Sequence, residues 1–214
     1  MSAPNEGTPK KPRKRMTAAE RREQLIVIAR GLFAEKGFDA TAVEEIAARA
    51  EVSKPVVYEH FGGKEGLYAV VVDREVRALL DRMQSALAGG HPRLLLEQAA
   101  VALLDYIESS SDGFRIMVRD SPVGSTSGTF VTIMNTIGSR VDDILAAEFK
   151  SRGFDHRQAP MYAQMLVGMV GYTGQWWLDA RKPSKEVVAA NLVNLAWNGL
   201  AGLEKKPTMR VNAS

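Results

Sequence analysis

The sequence predicts an all-α protein of about nine helices, with a small three-helix unit at the N-terminus and a larger helical body behind it. Three observations lead there. Apolar residues recur at three- and four-residue spacing through most of the chain, and no stretch shows the period-two alternation of a half-buried strand. Glycine and proline fall mainly between the periodic segments, where they break helices. Near the N-terminus, Thr17-Ala18-Ala19-Glu20 and Thr41-Ala42-Val43-Glu44 both carry the Thr-x-x-Glu spacing of a capping box, in which each side chain satisfies a backbone N–H at the start of a helix.

The elements follow in order. After the first box, Leu25, Ile26, Ile28, Ala29, Leu32 and Phe33 keep helical spacing, and Gly37 ends the helix. The second box starts a short helix with Val43, Ile46, Ala47 and Ala50 inward. A tight connection through Glu51 and Val52 leads to EVSKPVVYEHFGGK, residues 51–64. There Ser53 stands at the cap, Pro55 sits in the first turn where its missing N–H is harmless, and Gly62-Gly63 close the helix. Val57 and Phe61 are four apart and share a face. So short a helix needs a scaffold beneath that face. Two short helices joined by a tight turn are a helix-turn-helix, whose second helix enters the major groove.

Residues 64–88 read as one long helix, broken at Gly89-Gly90-His91-Pro92. Residues 92–108 form a fifth, 109–113 a loop, and 114–119 a short apolar helix closed by Asp120-Ser121-Pro122. Residues 123–128, VGSTSG, read as a flexible connection. Long helices follow over 129–152, 160–181 and 184–203, and the last dozen residues fray. The domain reading is a disordered basic arm at 1–16, the helix-turn-helix unit at 17–66, a regulatory and dimerisation body at 67–205, and a tail at 206–214.

Composition narrows the function. An apolar fraction of 45% suits a globular core. Absence of cysteine removes disulfides and thiol catalysis and fits a cytoplasmic protein. No apolar run approaches the roughly 18 residues of a membrane span, and the polar, basic N-terminus is not a secretory signal. Residues 1–16 carry five basic side chains against Glu6, whereas residues 17–66 carry seven basic against nine acidic, a net of −2. The arm is therefore the basic element, suited to phosphates or a minor groove, or else a solubilising tail. Catalysis has little to draw on. His60, His91 and His156 are too scattered for a metal cluster, no Glu-x-x-His pair occurs, and Gly124-Ser125-Thr126-Ser127-Gly128 has threonine where a hydrolase elbow needs its nucleophile. No cofactor or metal is expected, and the protein is read as a binder and not an enzyme.

Residues 33–68, FAEKGFDATAVEEIAARAEVSKPVVYEHFGGKEGLY, resemble the DNA-binding domain of the TetR family of bacterial regulators, through F-x-E-x-G-F, T-x-x-x-I-A, A-x-V-S, Y-x-H-F and K-x-x-L. The resemblance implies a homodimeric repressor that binds a near-palindromic double-stranded operator and is released by a small-molecule effector. A body that answers to a protein partner is the alternative. By resemblance, Lys54, Pro55 and Tyr58 take base- or groove-facing positions, and Thr41, Ser53, His60 and Lys64 take phosphate positions. The chemistry agrees for Lys54, which can reach guanine O6 or N7, and for Val56 or Pro55 against a thymine methyl. Glu59 repels phosphates unless it accepts from a cytosine amino group.

In the body, Tyr106, Phe114, Met117, Phe130, Met134, Met165, Met169, Tyr172 and Trp176 read as an adaptable effector pocket, since flexible thioethers and large rings suit one. Polar groups available to orient a ligand are Tyr106, Arg119, Asn135, Tyr172 and Gln175. Gly168, Gly171 and Gly174 sit mid-helix, each costing about 1 kcal/mol against alanine, so another helix or a ligand must approach that backbone closely. The run WWLDARKPS resembles actinobacterial family members that govern lipid metabolism, which implies a fatty acid or acyl-CoA effector. Leu192, Leu195, Ala196, Gly199, Leu200 and Leu203 form a stripe on the last helix, read as the dimer interface of a four-helix bundle.

Overall fold

The computed structural model describes residues 16–119 and 128–209. Within them the chain forms nine α-helices and one 3₁₀ turn, with no strand. The basic arm, save Met16, and the 120–127 connection lie outside the described residues.

The head comprises α1 (Ala18–Lys36), α2 (Val43–Arg49) and α3 (Lys54–Phe61). Its first capping box forms as expected: Glu20 N–H donates to the Thr17 hydroxyl at 3.2 Å and Thr17 N–H to Glu20 Oε2 at 2.7 Å. The second does not. Ala42 is the N-cap of α2, and Thr41 Oγ1 donates instead to Gly37 O at 2.7 Å. Thr41 is buried beneath the end of α1, where unpaired terminal carbonyls are the nearest acceptors. Ser53 occupies the N-cap of α3 without a side-chain bond, and Gly62 closes that helix in the left-handed conformation (φ 73°). Val57 is fully buried among Leu25, Leu32, Ile46 and Leu67, and Phe61 packs half-buried beside them.

α4 (Lys64–Ala86) runs from the head into the body. Its Gly66 lies so close to α3 that a Cβ there would stand 1.9 Å from Phe61 O. α5 (Pro92–Ser109) and α6 (Ser111–Arg119) are separated by Ser110 alone, not by the five-residue loop expected. The backbone stays bonded through the break: Ser110 N–H donates to Tyr106 O at 2.8 Å and Phe114 N–H to Ser110 O at 3.0 Å. α6 faces both ways. Ile116 is buried in the head cluster, while Phe114 and Met117 are buried in the body cluster.

α7 (Thr129–Arg152), the 3₁₀ turn His156–Gln158, α8 (Ala159–Ala180) and α9 (Lys185–Ala201) complete the body. α7 packs along α8, and α5 along α9. Two of the α8 glycines explain themselves. A Cβ at Gly171 would lie 2.8 Å from Met134 Sδ, and one at Gly174 would lie 2.8 Å from Ile107 Cδ1. A Cβ at Gly168, about 60° around the helix from Gly171, would meet nothing within 4 Å.

Candidate nucleic-acid interface, cavity and dimer face

α3 presents Lys54, Pro55, Tyr58 and Glu59 to solvent, with Val56 half-buried on the flank. Val57 is the pivot that fixes this orientation, because burying it turns the residues on the far side outward. Lys54 Nζ lies 2.5 Å from Glu44 Oε1 of α2 and 5.7 Å from the centroid of the Tyr58 ring. The Glu44 carboxylate holds the lysine pKa above its usual value, and the ammonium lowers that of Glu44 in return. Ser53 is exposed at the start of the helix and His60 half-buried at its end, its ring 6.1 Å from that of Phe61. Glu59 makes no hydrogen bond or ion pair within the described residues, so its carboxylate faces outward uncompensated.

Two of the expected phosphate contacts are engaged elsewhere. Thr41 is 1% exposed, its hydroxyl turned to the α1 carbonyls, so it braces the scaffold and does not face solvent. Lys64 Nζ donates to Phe38 O at 3.0 Å and sits 4.3 Å from the Phe38 ring centroid. It ties the α1–α2 turn to the start of α4.

Head and body meet at a half-buried carboxylate that the sequence reading missed. Glu75 of α4 accepts a 2.6 Å hydrogen bond from Tyr106 Oη of α5. Arg30 Nε of α1 lies 2.8 Å from its other oxygen, a charge contact whose N–H is not aligned for a hydrogen bond. Burial, and then the bond to Glu75, push the Tyr106 phenol well above its usual pKa, so it remains a donor. Gly113 of α6 leaves the room this carboxylate needs, since a Cβ there would fall 1.8 Å from Glu75 Oε2. Arg119 completes the junction from α6: its Nη1 donates to Ala34 O at 3.0 Å, capping the end of α1. Tyr106 and Arg119 therefore engage their polar groups in the head–body seam. The only signal in the sequence was a glycine in the first turn of a short helix.

A cavity of ≈ 90 Å³ opens between α4, α5, α7, α8 and α9. Its walls include Met83 and Leu87, Leu95, Leu96 and Ala99, Met134, Val141 and Ile144, Leu166 and Val170, and Trp197 and Leu200. No lining residue is charged, and the Trp197 indole carries the one polar side-chain atom among them. Of the expected pocket residues only Met134 lines this cavity. Tyr106, Phe114, Met117 and Phe130 are packed core, with Phe114 and Phe130 edge to face at 5.8 Å, and Met169 packs half-buried against that core. Met165, Tyr172 and Trp176 are 56%, 58% and 54% exposed on the outer face of α8. The reason is helical phase. These three project opposite to Val167, Gly171, Gly174 and Leu178, which bury the inner face.

The α9 stripe also divides. Leu192 and Ala196 are buried within the chain, Leu200 lines the cavity, and Leu203 packs half-buried near Leu145 and Phe149. Leu195 is 66% exposed, and Gly199 has no atom within 4 Å of its would-be Cβ. With Met161, Met165, Tyr172 and Trp176 they leave an apolar surface on α8 and α9 that no described residue covers. Among the described residues no group of side chains is arranged to hold a metal ion, and no helix is long and apolar enough to cross a membrane.

Comparison with known proteins agrees with this architecture along nearly the whole chain. Residues 25–71 match the family described as bacterial regulatory proteins, tetR family, and residues 92–199 match the tetracyclin repressor-like C-terminal domain. The chain is 31% identical over 189 residues to the HTH-type transcriptional activator FasR of Mycolicibacterium smegmatis, covering 87% of this chain and 86% of that one. It is 30% identical over 190 residues to the HTH-type transcriptional repressor KstR2 of Rhodococcus jostii, covering 85% and 91%. A TetR-like transcriptional regulator from Rhodococcus sp. RHA1 superposes with a TM-score of 0.71 at 26% identity, covering 88% of this chain and all of that structure. The helix-turn-helix head, the helical body and these matches together place the chain in the TetR family of DNA-binding transcriptional regulators.

Proposed function

We propose that the protein binds a near-palindromic operator as a homodimer and is released from it by an apolar small molecule carrying an acyl chain, a fatty acid or an acyl-CoA. α3 carries the DNA contact through Lys54, Pro55, Val56 and Tyr58, with Ser53 and His60 toward the phosphates. The uncovered face of Met161, Met165, Tyr172, Trp176, Leu195 and Gly199 is the dimer surface, and two-fold pairing spaces two α3 helices for successive major grooves. Repression follows where the operator overlaps a promoter.

The observation that carries the effector reading is the cavity wall. A buried polar group without a partner costs free energy, and this wall offers almost none, so the enclosed part of the ligand is hydrocarbon. The resemblance of the α8 end to regulators of lipid metabolism points to the same chemistry. The test is thermal shift and operator release with fatty acids and acyl-CoA thioesters from octanoyl to stearoyl. A ligand at about 100 times its Kd adds about 2.7 kcal/mol, which raises Tm by about 6–10 °C in a chain of this size. Ala99→Trp, which fills the cavity, should abolish shift and release while leaving operator binding intact. No shift from any acyl compound, with operator binding retained, would instead assign the body to a protein partner.

A further inference from the structure

Glu44 stands in the first turn of α2 and Lys54 at the start of α3, ten residues apart, so their contact spans the turn of the helix-turn-helix. Its place sets it apart from an ordinary surface pair. Lys54 is the basic residue on the exposed face of α3, and its ammonium lies between the Glu44 carboxylate and the Tyr58 ring. The pair is not what secures α2. Glu45 ties α2 to α1 through Lys36 at 2.7 Å, over buried Ile46 and Ala47. Arg74 is engaged with Glu23, Lys64 with the α1–α2 turn and Arg21 with Ala50 O, while Arg22 lies over the Phe61 ring at the end of α3. Glu44, by contrast, brings a negative charge onto a surface that must meet phosphates.

We propose that Glu44 is a positioning residue that sets DNA specificity by holding Lys54. This rests on the reading of α3 as the DNA-contacting helix. A free lysine on a four-carbon stem serves any phosphate within its arc. Held by Glu44 in front of Tyr58, the ammonium is kept toward the groove floor, where guanine O6 and N7 accept it. Reaching a phosphate instead requires leaving one anion for another and stranding the Glu44 charge beside the backbone. Glu44 therefore weakens binding to arbitrary sequence more than binding to the operator.

The experiment compares full-length wild type, Glu44→Gln, Glu44→Asp, Lys54→Gln and the Glu44→Gln/Lys54→Gln double variant. Fluorescence anisotropy is read on a random duplex and on the duplex recovered by the protein from a random pool, across a salt series. In Glu44→Gln, random-duplex affinity should rise about 3–10-fold at physiological salt and the log–log salt slope should steepen by about 0.9, one additional phosphate contact. Operator affinity should change by less than about twofold, so the specificity ratio falls, and Glu44→Asp should restore most of it. In the Lys54→Gln background Glu44→Gln should leave the slope unchanged. Equal gains on both duplexes, or a gain that persists without Lys54, would mean Glu44 is only a generic negative charge and would overturn the proposal. A Lys54→Gln variant that binds operator like wild type would overturn the α3 assignment beneath it. Unchanged far-UV circular dichroism separates all of these from unfolding.

Discussion

Gly66→Ala adds one methyl group where α4 leaves α3. Its Cβ would stand 1.9 Å from the Phe61 carbonyl oxygen and 3.1 Å from the carbonyl carbon. Ordinary contact begins near 3.4 Å, so the end of α3 must retreat by 1.5 Å. The obstacle is backbone, and no rotamer relieves it. Overpacking of this kind costs about 1–3 kcal/mol, and alanine in place of glycine in a helix returns about 1 kcal/mol. The net loss is therefore about 0–2 kcal/mol, a Tm decrease of at most about 8 °C. Gly62 and Gly63, at φ 73° and 133°, lie next to the clash and give way most readily, so α3 moves while the rest of the head stays packed. A shift of that size breaks hydrogen bonds to base edges worth about 1–3 kcal/mol each, and operator affinity should fall about 10–100-fold. The assays are thermal denaturation by circular dichroism and operator anisotropy. Gly31→Ala is the control, because its methyl meets no atom within 4 Å and should stabilise by about 1 kcal/mol without affecting DNA. A Gly66→Ala protein that melts and binds like wild type would refute the claim that this glycine sets the α3–α4 junction.

Further outcomes test the seam and the dimer face. Tyr106→Phe leaves a part-buried Glu75 oxygen without its donor and should cost about 1–3 kcal/mol near neutral pH, read by urea denaturation. The folded chain keeps the phenol proton beyond about pH 10, where the unfolded chain releases it. The stability due to Tyr106 is thus full below that pH and lost above it, and the variant should show a shallower alkaline decline. Gly199→Trp places a large ring on open surface, so the subunit should fold normally yet sediment as a monomer; a dimer would exclude this face. Deleting residues 1–15 should flatten the salt dependence of operator binding if the basic arm meets phosphates, and an identical slope would make it passive.

Several readings from sequence met the structure unevenly, and the differences have physical causes. The Thr17 box forms because both partners lie within one helical turn. The Thr41 box does not, because a tertiary acceptor at the end of α1 takes its hydroxyl. Methionine and aromatic content marked α8 as a candidate pocket wall, but three of those residues face outward and the cavity is lined mainly by leucine, isoleucine and valine that look like any core. Nothing in the pattern distinguishes an aliphatic side chain facing a void from one facing a neighbour. The α9 stripe mixed residues from two faces because Leu192 and Leu195 are separated by three positions, yet their neighbours differ.

The sequence by itself determined the helices, most of their ends, and the three-helix head with Val57 turned inward. These depend on local physics: capping, helical period, the conformations open to glycine and proline, and the one buried valine under α3. Only the tertiary structure decided that α6 belongs to both cores, that Glu75 joins Arg30 to Tyr106, that Glu44 holds Lys54, and which faces of α8 and α9 remain uncovered. Those features depend on the rotation and approach of helices far apart in the chain, and rotation is settled by the sum of packing contacts across the core, which no single stretch contains.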